Sequence, residues 1–348
     1  MKRLFILLLL LSFAGAVWAQ DVTTLDDYRG GFENFVEEFP KSLPMNSTVG
    51  LNWSDAYIGQ LLAVPPSFGV GVTTGVTTIP FRAFDNLFGD LDVDVPSEIS
   101  NFDAVGIPFP AYAVDGRIGG FVLPFDVGVK FGTLPGGMDV GDASVEYTLF
   151  GADVRYAILE QGVVLPDLSV AVGYNRLNGE ISVPTGFGRL EIAEVPNDPN
   201  NPDSRASIAL EEPNLDFDWG ANVFDFRAQV SKKVLFIEPH FGLGAALGTA
   251  DASAGLTTDV LIDEGSGYNE ATDATIERLK DAADAAGVSL PDDFDNTGLG
   301  VSSNVDTFAF RVFGGASFNI LLLRLDLGLM YNITSGSVGG TLGARVQL

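Results

Sequence analysis

"LLLRLDLGLMYNI", residues 321–333, decides the fold. Leu321, Leu323, Leu325, Leu327, Leu329 and Tyr331 share one parity, while Leu322, Arg324, Asp326, Gly328, Met330 and Asn332 share the other. Alternation with period two is the signature of a strand whose faces meet different environments. Two pairs of environments fit. In a soluble sandwich the apolar face turns inward and the opposite face, rich in Lys, Glu and Thr, meets water. In a membrane-spanning strand the apolar face meets hydrocarbon and the opposite face lines an enclosed interior.

The same alternation recurs along the chain. Phe68, Val70 and Val72 share a parity, as do Phe125, Val127, Val129 and Phe131. Further sets are Leu168 to Tyr174, Phe224 to Val230, Phe241 to Leu247 and Phe308 to Phe318, and the chain ends in Leu342, Ala344, Val346 and Leu348. Residues 111–122 form a weaker strand. Between Ser144 and Ile158 the apolar parity flips near Gly151, which predicts a β-bulge. The opposite parity holds Gly, Ser, Ala, Asn and Arg with scattered Asp. Such groups suit a confined polar lumen better than an open water face. Hydrocarbon leaves no partner for an unpaired N–H or C=O, so spanning strands must close into a ring.

The links support this. Short ones lie near 123–124, 159–166, 231–234 and 319–320; long ones lie at 80–109, 184–216 and 250–303. Counted back from Leu348, every long link falls at one end, the asymmetry of transmembrane barrels. The expectation is an all-β transmembrane antiparallel β-barrel of about 10–14 strands over residues 46–348, both termini at the short-turn end. Asp126, Lys130, Asp153, Arg155, Asp225, Arg227, Arg311, Arg324, Asp326 and Arg345 then point inward and can pair across the lumen.

At the N-terminus, Lys2 and Arg3 precede an apolar run, Leu4 to Leu11, with Val17 and Ala19 at cleavage-site spacing. Residues 1–19 are expected to be a secretory signal; the run is short for a membrane anchor. Residues 20–45 follow as an amphipathic helix or plug: Leu25, Tyr28, Phe32, Phe35, Val36 and Phe39 form one stripe. A second helix is expected over 269–286, inside a long extracellular loop, as a lid or as a helix packed on the loop base.

Composition narrows the functions. A formal charge of −27 at pH 7 with 46% hydrophobic residues opposes nucleic acid as a partner and excludes wholesale disorder. Without cysteine, neither disulfides nor thiolate metal sites are available. His240, the one histidine, sits near a short turn and reads as structural rather than catalytic. "GLGAALG", 242–248, reads as a crowded strand and not a dinucleotide loop. Asp90, Asp92 and Asp94 lack the Gly and Glu that a calcium loop needs, so they and Asp292, Asp293 and Asp295 read as solvated loop acids. No metal, cofactor or enzymatic chemistry is expected.

The signal, the repeated hairpins and the terminal strand "TLGARVQL" together resemble bacterial outer-membrane β-barrel proteins. Leu348 stands where those usually end in an aromatic residue. The plan, with an N-terminal segment able to plug the lumen, is similar to the long-chain fatty-acid and hydrocarbon channels. The resemblance implies outer-membrane lipid and the barrel-assembly machinery as partners, a hydrophobic small-molecule ligand, and transport across the outer membrane of a diderm bacterium. The alternative is a structural or surface-interaction protein with a closed lumen.

Overall fold

The computed structural model describes residues 25–81, 105–133, 138–140, 143–184, 188–198, 204–285, 290 and 294–348. The expected signal and residues 90–95, 292 and 293 lie outside them. Ten strands form the wall: β1 (Phe68–Ile79), β2 (Ile107–Gly119), β3 (Phe125–Thr133), β4 (Ala143–Leu159), β5 (Asp167–Pro184), β6 (Arg205–Ser231), β7 (Ile237–Asp263), β8 (Gly298–Ile320), β9 (Leu323–Asn332) and β10 (Val338–Gln347). Each pairs antiparallel with the next, and β10 pairs with β1 from Gln347↔Gly69 to Gly339↔Thr77. The sheet therefore closes on itself as an up-and-down barrel in which every strand has a neighbour on both sides. Helix α1 (Leu25–Glu38) precedes it, and α2 (Asp273–Ala285) lies in the link between β7 and β8.

On β9 the opening alternation meets two environments: Leu323, Leu325, Leu327, Leu329 and Tyr331 are exposed on the outside, while Asp326, Met330 and Asn332 are buried inside. Other strands begin the same way and then change. On β4, reading away from the short turn, the outer face runs Ile158, Tyr156, Val154, Ala152, Phe150 and then Thr148, Glu146 and Ser144. Its inner face runs Arg155, Asp153, Gly151 and then Leu149, Tyr147 and Val145, all three buried. β6 does likewise: Phe226 and Phe224 give way outside to Asn222 and Asp218, while Arg227 and Asp225 give way inside to Val223, Ala221, Trp219 and Phe217. The faces keep their direction and exchange polarity. Near the short turns the barrel is apolar outside and charged inside; toward the long links it is acidic outside and apolar inside, as a water-soluble barrel would be.

This exchange corrects two expectations. The register runs unbroken through Gly151↔Asn175, so the parity flip there marks the change of solvent and not a bulge. The irregularity in this strand pair falls instead at Ala157/Leu159. The segments 212–216, 250–263 and 298–303, expected within long loops, are wall: β6 and β7 pair from Ser207↔Asp263 down to Ser231↔His240.

The short-turn end holds the start of β1 and the C-terminus, where Leu348 N–H donates to Phe68 O at 2.9 Å. The segment before β1 starts among the apolar residues of the long-link half and not at the short-turn end expected for the N-terminus. It runs back up the lumen, so α1 packs against the long-link halves of β7 and β8. Helix α2 buries Ile276, Leu279 and Ala283 in the apolar cluster that holds Ile208, Val260 and Ile262 of the extended wall and Val195 of the link between β5 and β6.

The exchange of polarity is testable. Leu327→Arg places a cation on the apolar exterior and should lower folding stability in phospholipid vesicles by about 2–4 kcal/mol. Asp218→Leu, the same face beyond the exchange, should bring no comparable loss. Urea titration of the vesicle-inserted protein reads both.

Candidate functional site

The site is the lumen and what fills it. After α1, the turns Phe39–Ser42 and Leu43–Asn46 lead into an irregular segment, residues 47–60, that descends between the walls. An irregular backbone inside a barrel has no ladder partner, and each orphaned N–H or C=O costs free energy. The wall's polar side chains supply the partners. Lys130 donates from Nζ to Ser47 O (2.7 Å) and Val49 O (2.8 Å). Gln229 donates from Nε2 to Trp53 O (2.9 Å) and Ser54 O (2.8 Å). Asp115 accepts from Leu51 N (3.1 Å), Trp53 Nε1 (2.9 Å) and Thr73 Oγ1 (2.7 Å). Ser231 Oγ accepts from Ala56 N at 2.8 Å.

Around this segment the wall charges form two linked groups. In the first, Arg117 bridges Asp126 and, at 2.8 Å, Asp153; Arg155 reaches Asp126 at 2.8 Å; Arg227 joins Asp153 and, at 3.1 Å, Asp225; and Arg311 reaches Asp225 at 2.8 Å. The second is centred on Asp55, a residue of the segment itself. Its carboxylate pairs with Arg324 of β9 and Arg345 of β10, and its carbonyl accepts from Arg155 of β4. Arg345 also holds Asp326 and lies over the Trp53 ring at 4.5 Å; Arg324 also meets Glu238 at 3.3 Å. One residue thus ties the threaded chain to three strands, its carboxylate to the neighbours β9 and β10 and its carbonyl to β4.

All ten lumen residues named from sequence sit on the inner face, and all except Lys130 enter this ion-pair network, Lys130 holding carbonyls instead. Asp55, Trp53, Asp115, Arg117, Gln229 and Glu238 were not singled out. Asp115 and Arg117 share a parity in "AVDGRIGG", which was the available signal; Asp55 lies in a segment without period and left none.

The other half of the lumen is apolar. Phe32, Phe35, Val36 and Phe39 are buried there; Leu25 and Tyr28 belong to α1, but their side chains fall outside the described set. Phe35 meets Phe217 at 5.0 Å, and Phe39 meets Phe217 at 4.7 Å, Phe109 at 5.7 Å and Trp219 at 6.0 Å. At about 1.5–3 kcal/mol per buried large apolar side chain, this stripe anchors the segment strongly.

The wall beside this chamber is interrupted. β2 and β3 pair only from Gly119↔Asp126 to Val114↔Phe131. Gly119 N–H turns to Ser67 O before β1, and Gly120 N–H turns to Phe125 O of β3. Even-numbered residues of β2 therefore face β3, and two of them, Pro108 and Pro110, have no N–H to offer. Among the described residues no backbone ladder joins β2 to β3 beyond Val114; the Tyr112 hydroxyl donates to Thr133 O there instead. Tyr112 and Tyr147 stack across the interruption at 5.5 Å.

His240 lies inside rather than at a rim. It lines a small cavity with Asn52, Arg227, Arg311 and Phe313, and its ring is 6.3 Å from that of Phe313. Gly242 and Gly244 make room there: an added Cβ would stand 2.3 Å from the Phe313 ring and 2.9 Å from the Arg311 guanidinium carbon. Of the loop acids, Asp295 accepts from Thr297 N–H at 2.7 Å.

No family model matches the chain, and no curated protein matches it. It is similar to the outer-membrane protease OmpT of Escherichia coli, with 8% identity over 81% of this chain and 95% of that one and a TM-score of 0.37. It is similar to the translocator domain of the autotransporter NalP from Neisseria meningitidis, with 10% identity over 81% and 88% and a TM-score of 0.31. Against the CymD monoaromatic hydrocarbon channel the values are 9% over 81% and 87%, with a TM-score of 0.22. At these scores the activities of those proteins carry no weight for this chain.

Two predictions follow from the geometry. Asp55→Ala strands Arg324 and Arg345 with one carboxylate partner each, Glu238 and Asp326. It should cost about 3–5 kcal/mol in urea titration and expose residues 47–60 to protease. On the outer surface, Glu146↔Glu180 and Glu180↔Asp218 are direct cross-strand pairs of like charge. Burial and neighbouring carboxylates raise Glu180; burial, then Asp216, raises Asp218. A carboxylate with a raised folded pKa destabilises the fold when ionised, and relief arrives as pH falls through that pKa. Asp218→Asn should therefore be more stable than wild type at pH 7, with the difference shrinking toward about pH 4.

Proposed function

We propose that the protein is an outer-membrane barrel that admits a small apolar molecule from outside and releases it sideways into lipid. The observation that carries this reading is the apolar, aromatic-lined chamber beside an interruption in the wall. The charged half of the lumen is closed by the segment around Asp55, so a straight aqueous path through the barrel does not fit. The chamber opens toward the long links, where an apolar molecule would arrive, and toward the side between β2 and β3, just above the outer edge of the apolar girdle at Val114 and Phe131, from which such a molecule can pass down into lipid. Helix α1 occupies the chamber in this state. Its Phe32, Phe35 and Phe39 fill the places a ligand would take, so α1 is the plug and a ligand competes with it. The lumen charges are the fixed base against which the plug works. The exterior girdle, the leader sequence and the terminal strand fit secretion, signal cleavage and insertion by the barrel-assembly machinery.

A second reading has its own support. The ion pairs about Asp55 and the packed chamber leave the barrel filled, as a structural or surface-interaction protein would be, with the acidic outer collar as its working face. Two measurements separate the readings. Planar-bilayer recording of the purified protein should show no ion conductance. Cells carrying the protein in the outer membrane should take up the apolar probe N-phenylnaphthylamine several-fold faster than cells without it. Phe109→Asp in the chamber wall should remove that gain. Conductance would mean a water-filled pore; absence of both signals would leave the filled structural barrel.

A further inference from the structure

The end of the barrel that carries the short turns is apolar to its tips. The bend leading into β1 exposes Leu62 and Val64, and the turns between strands expose Phe121, Val163, Leu235 and Leu321 among others. Val163, Leu235 and Leu321 are 99%, 85% and 98% exposed. Across 61–66, 120–124, 160–166, 232–236 and 321–322 the charged residues are Glu160, Lys232 and Lys233, in a chain with 46 acidic residues. Leu235 and Leu321 also hold positive φ, 57° and 54°, where Gly or Asn would sit without strain. Leucine is kept at these tips against the local preference of the backbone.

The backbone of these turns is paired as if water were scarce. Lys232 donates from Nζ to Val163 O (3.1 Å), Val164 O (2.7 Å) and Leu165 O (3.2 Å). Gln60 donates from Nε2 to Val122 O at 3.0 Å. Phe236 O accepts from Asn319 N at 2.7 Å, and Leu322 O accepts from Gln347 N at 2.9 Å. Turns in water need no such provision; turns in a low-dielectric layer do.

Length agrees. From Tyr331, by the exchange of polarity, ten residues lead down β9 to Leu321. At about 3.3 Å per residue and a tilt of about 40°, that distance covers about 25 Å along the membrane normal, the height of the apolar band of an outer-membrane barrel. The band is complete only if the turn tips belong to it.

We infer that the short-turn end lies within the inner leaflet, its turns in contact with phospholipid acyl chains and their glycerol boundary rather than projecting into the aqueous compartment. The apolar rim is continuous with the lipid-facing girdle and runs all the way round, which fits a planar lipid layer better than a one-sided protein contact. This rests on the girdle reading itself, and the test keeps the two apart.

The chain has no cysteine, so single replacements carry a label cleanly. Val163→Cys, Leu235→Cys, Leu327→Cys in the girdle and Asp281→Cys on α2 are refolded into phosphatidylcholine–phosphatidylglycerol vesicles, with heat-modifiable migration confirming folding. Expected at 163 and 235 are blue-shifted nitrobenzoxadiazole emission, quenching by nitroxide-labelled lipids, and reaction with a membrane-impermeant maleimide at least ten-fold slower than at 281. Reaction as fast as at 281, with 327 still quenched, overturns the inference and leaves the girdle standing. Loss of quenching at 327 as well overturns both. Fast reaction in vesicles but slow reaction in native outer membranes assigns the rim to a protein partner and overturns the lipid assignment.

Discussion

The need to pair every backbone group away from bulk water governs this structure twice. The wall meets it by closure, each of the ten antiparallel strands pairing on both sides except at the long-link end of β2 above Val114. The threaded segment 47–60 cannot meet it that way. Its carbonyls and amides are held by side chains from the wall: Lys130, Arg155 and Gln229 donate, while Asp115, Ser231 and Asp326 accept. The inward charges are therefore more than a set of mutually neutralising ions. They replace the ladder that an irregular chain lacks. Buried ion pairs are weak contributors to stability when compared with apolar packing, and their best-attested use is to specify one arrangement among several. Here the arrangement specified is the height and rotation of the threaded segment, because Asp55 meets Arg324, Arg345 and Arg155 together in one position.

The exchange of polarity along β4 to β8 follows from one set of strands passing through two solvents. In hydrocarbon the outer face gains from Phe and Val, and the enclosed face can hold charge. In water the same outer face is better served by Glu146, Glu180 and Asp218, and the interior must be filled with Leu149, Leu177, Phe217 and their neighbours to form a core. α1 and its aromatic stripe belong to that second, water-type core. Rows of like charge such as Glu146, Glu180 and Asp218 cost stability when they lie directly opposite.

This also explains what was legible in the sequence. β9 was readable from its residues alone because it lies within the apolar band for its whole length and never changes solvent. The ring of about ten strands followed from that pattern and the link lengths. The long-link halves of β6, β7 and β8 were not readable as wall, because there the apolar parity moves to the inner face and is written largely in small residues such as Ala250, Ala252 and Ala254. Near Gly151 the same change looked like a bulge, since a one-residue insertion and an exchange of solvent both move apolar residues to the other parity. The lumen charges were legible where they lay on strong strands. Asp55 was not, because an irregular segment has no periodicity to place a side chain against a wall hundreds of residues away.

The two halves of the lumen differ in how they can move. Around Asp55 no pair can open alone: displacing the segment strands Arg324 and Arg345 at once and removes the acceptors that Lys130 and Gln229 serve. Such a network stays shut as a unit. The apolar half has no such coupling. Contacts of Phe35 and Phe39 with Phe109, Phe217 and Trp219 are non-directional, so another apolar body of similar volume can replace them with little net change. A barrel built this way is fixed at its charged base and exchangeable above it. The prolines of β2 place the interruption of the wall beside the exchangeable half, above the last β2–β3 pair at Val114↔Phe131. Any traffic the protein supports is thereby confined to the outer chamber and the upper edge of the lipid just below the interruption.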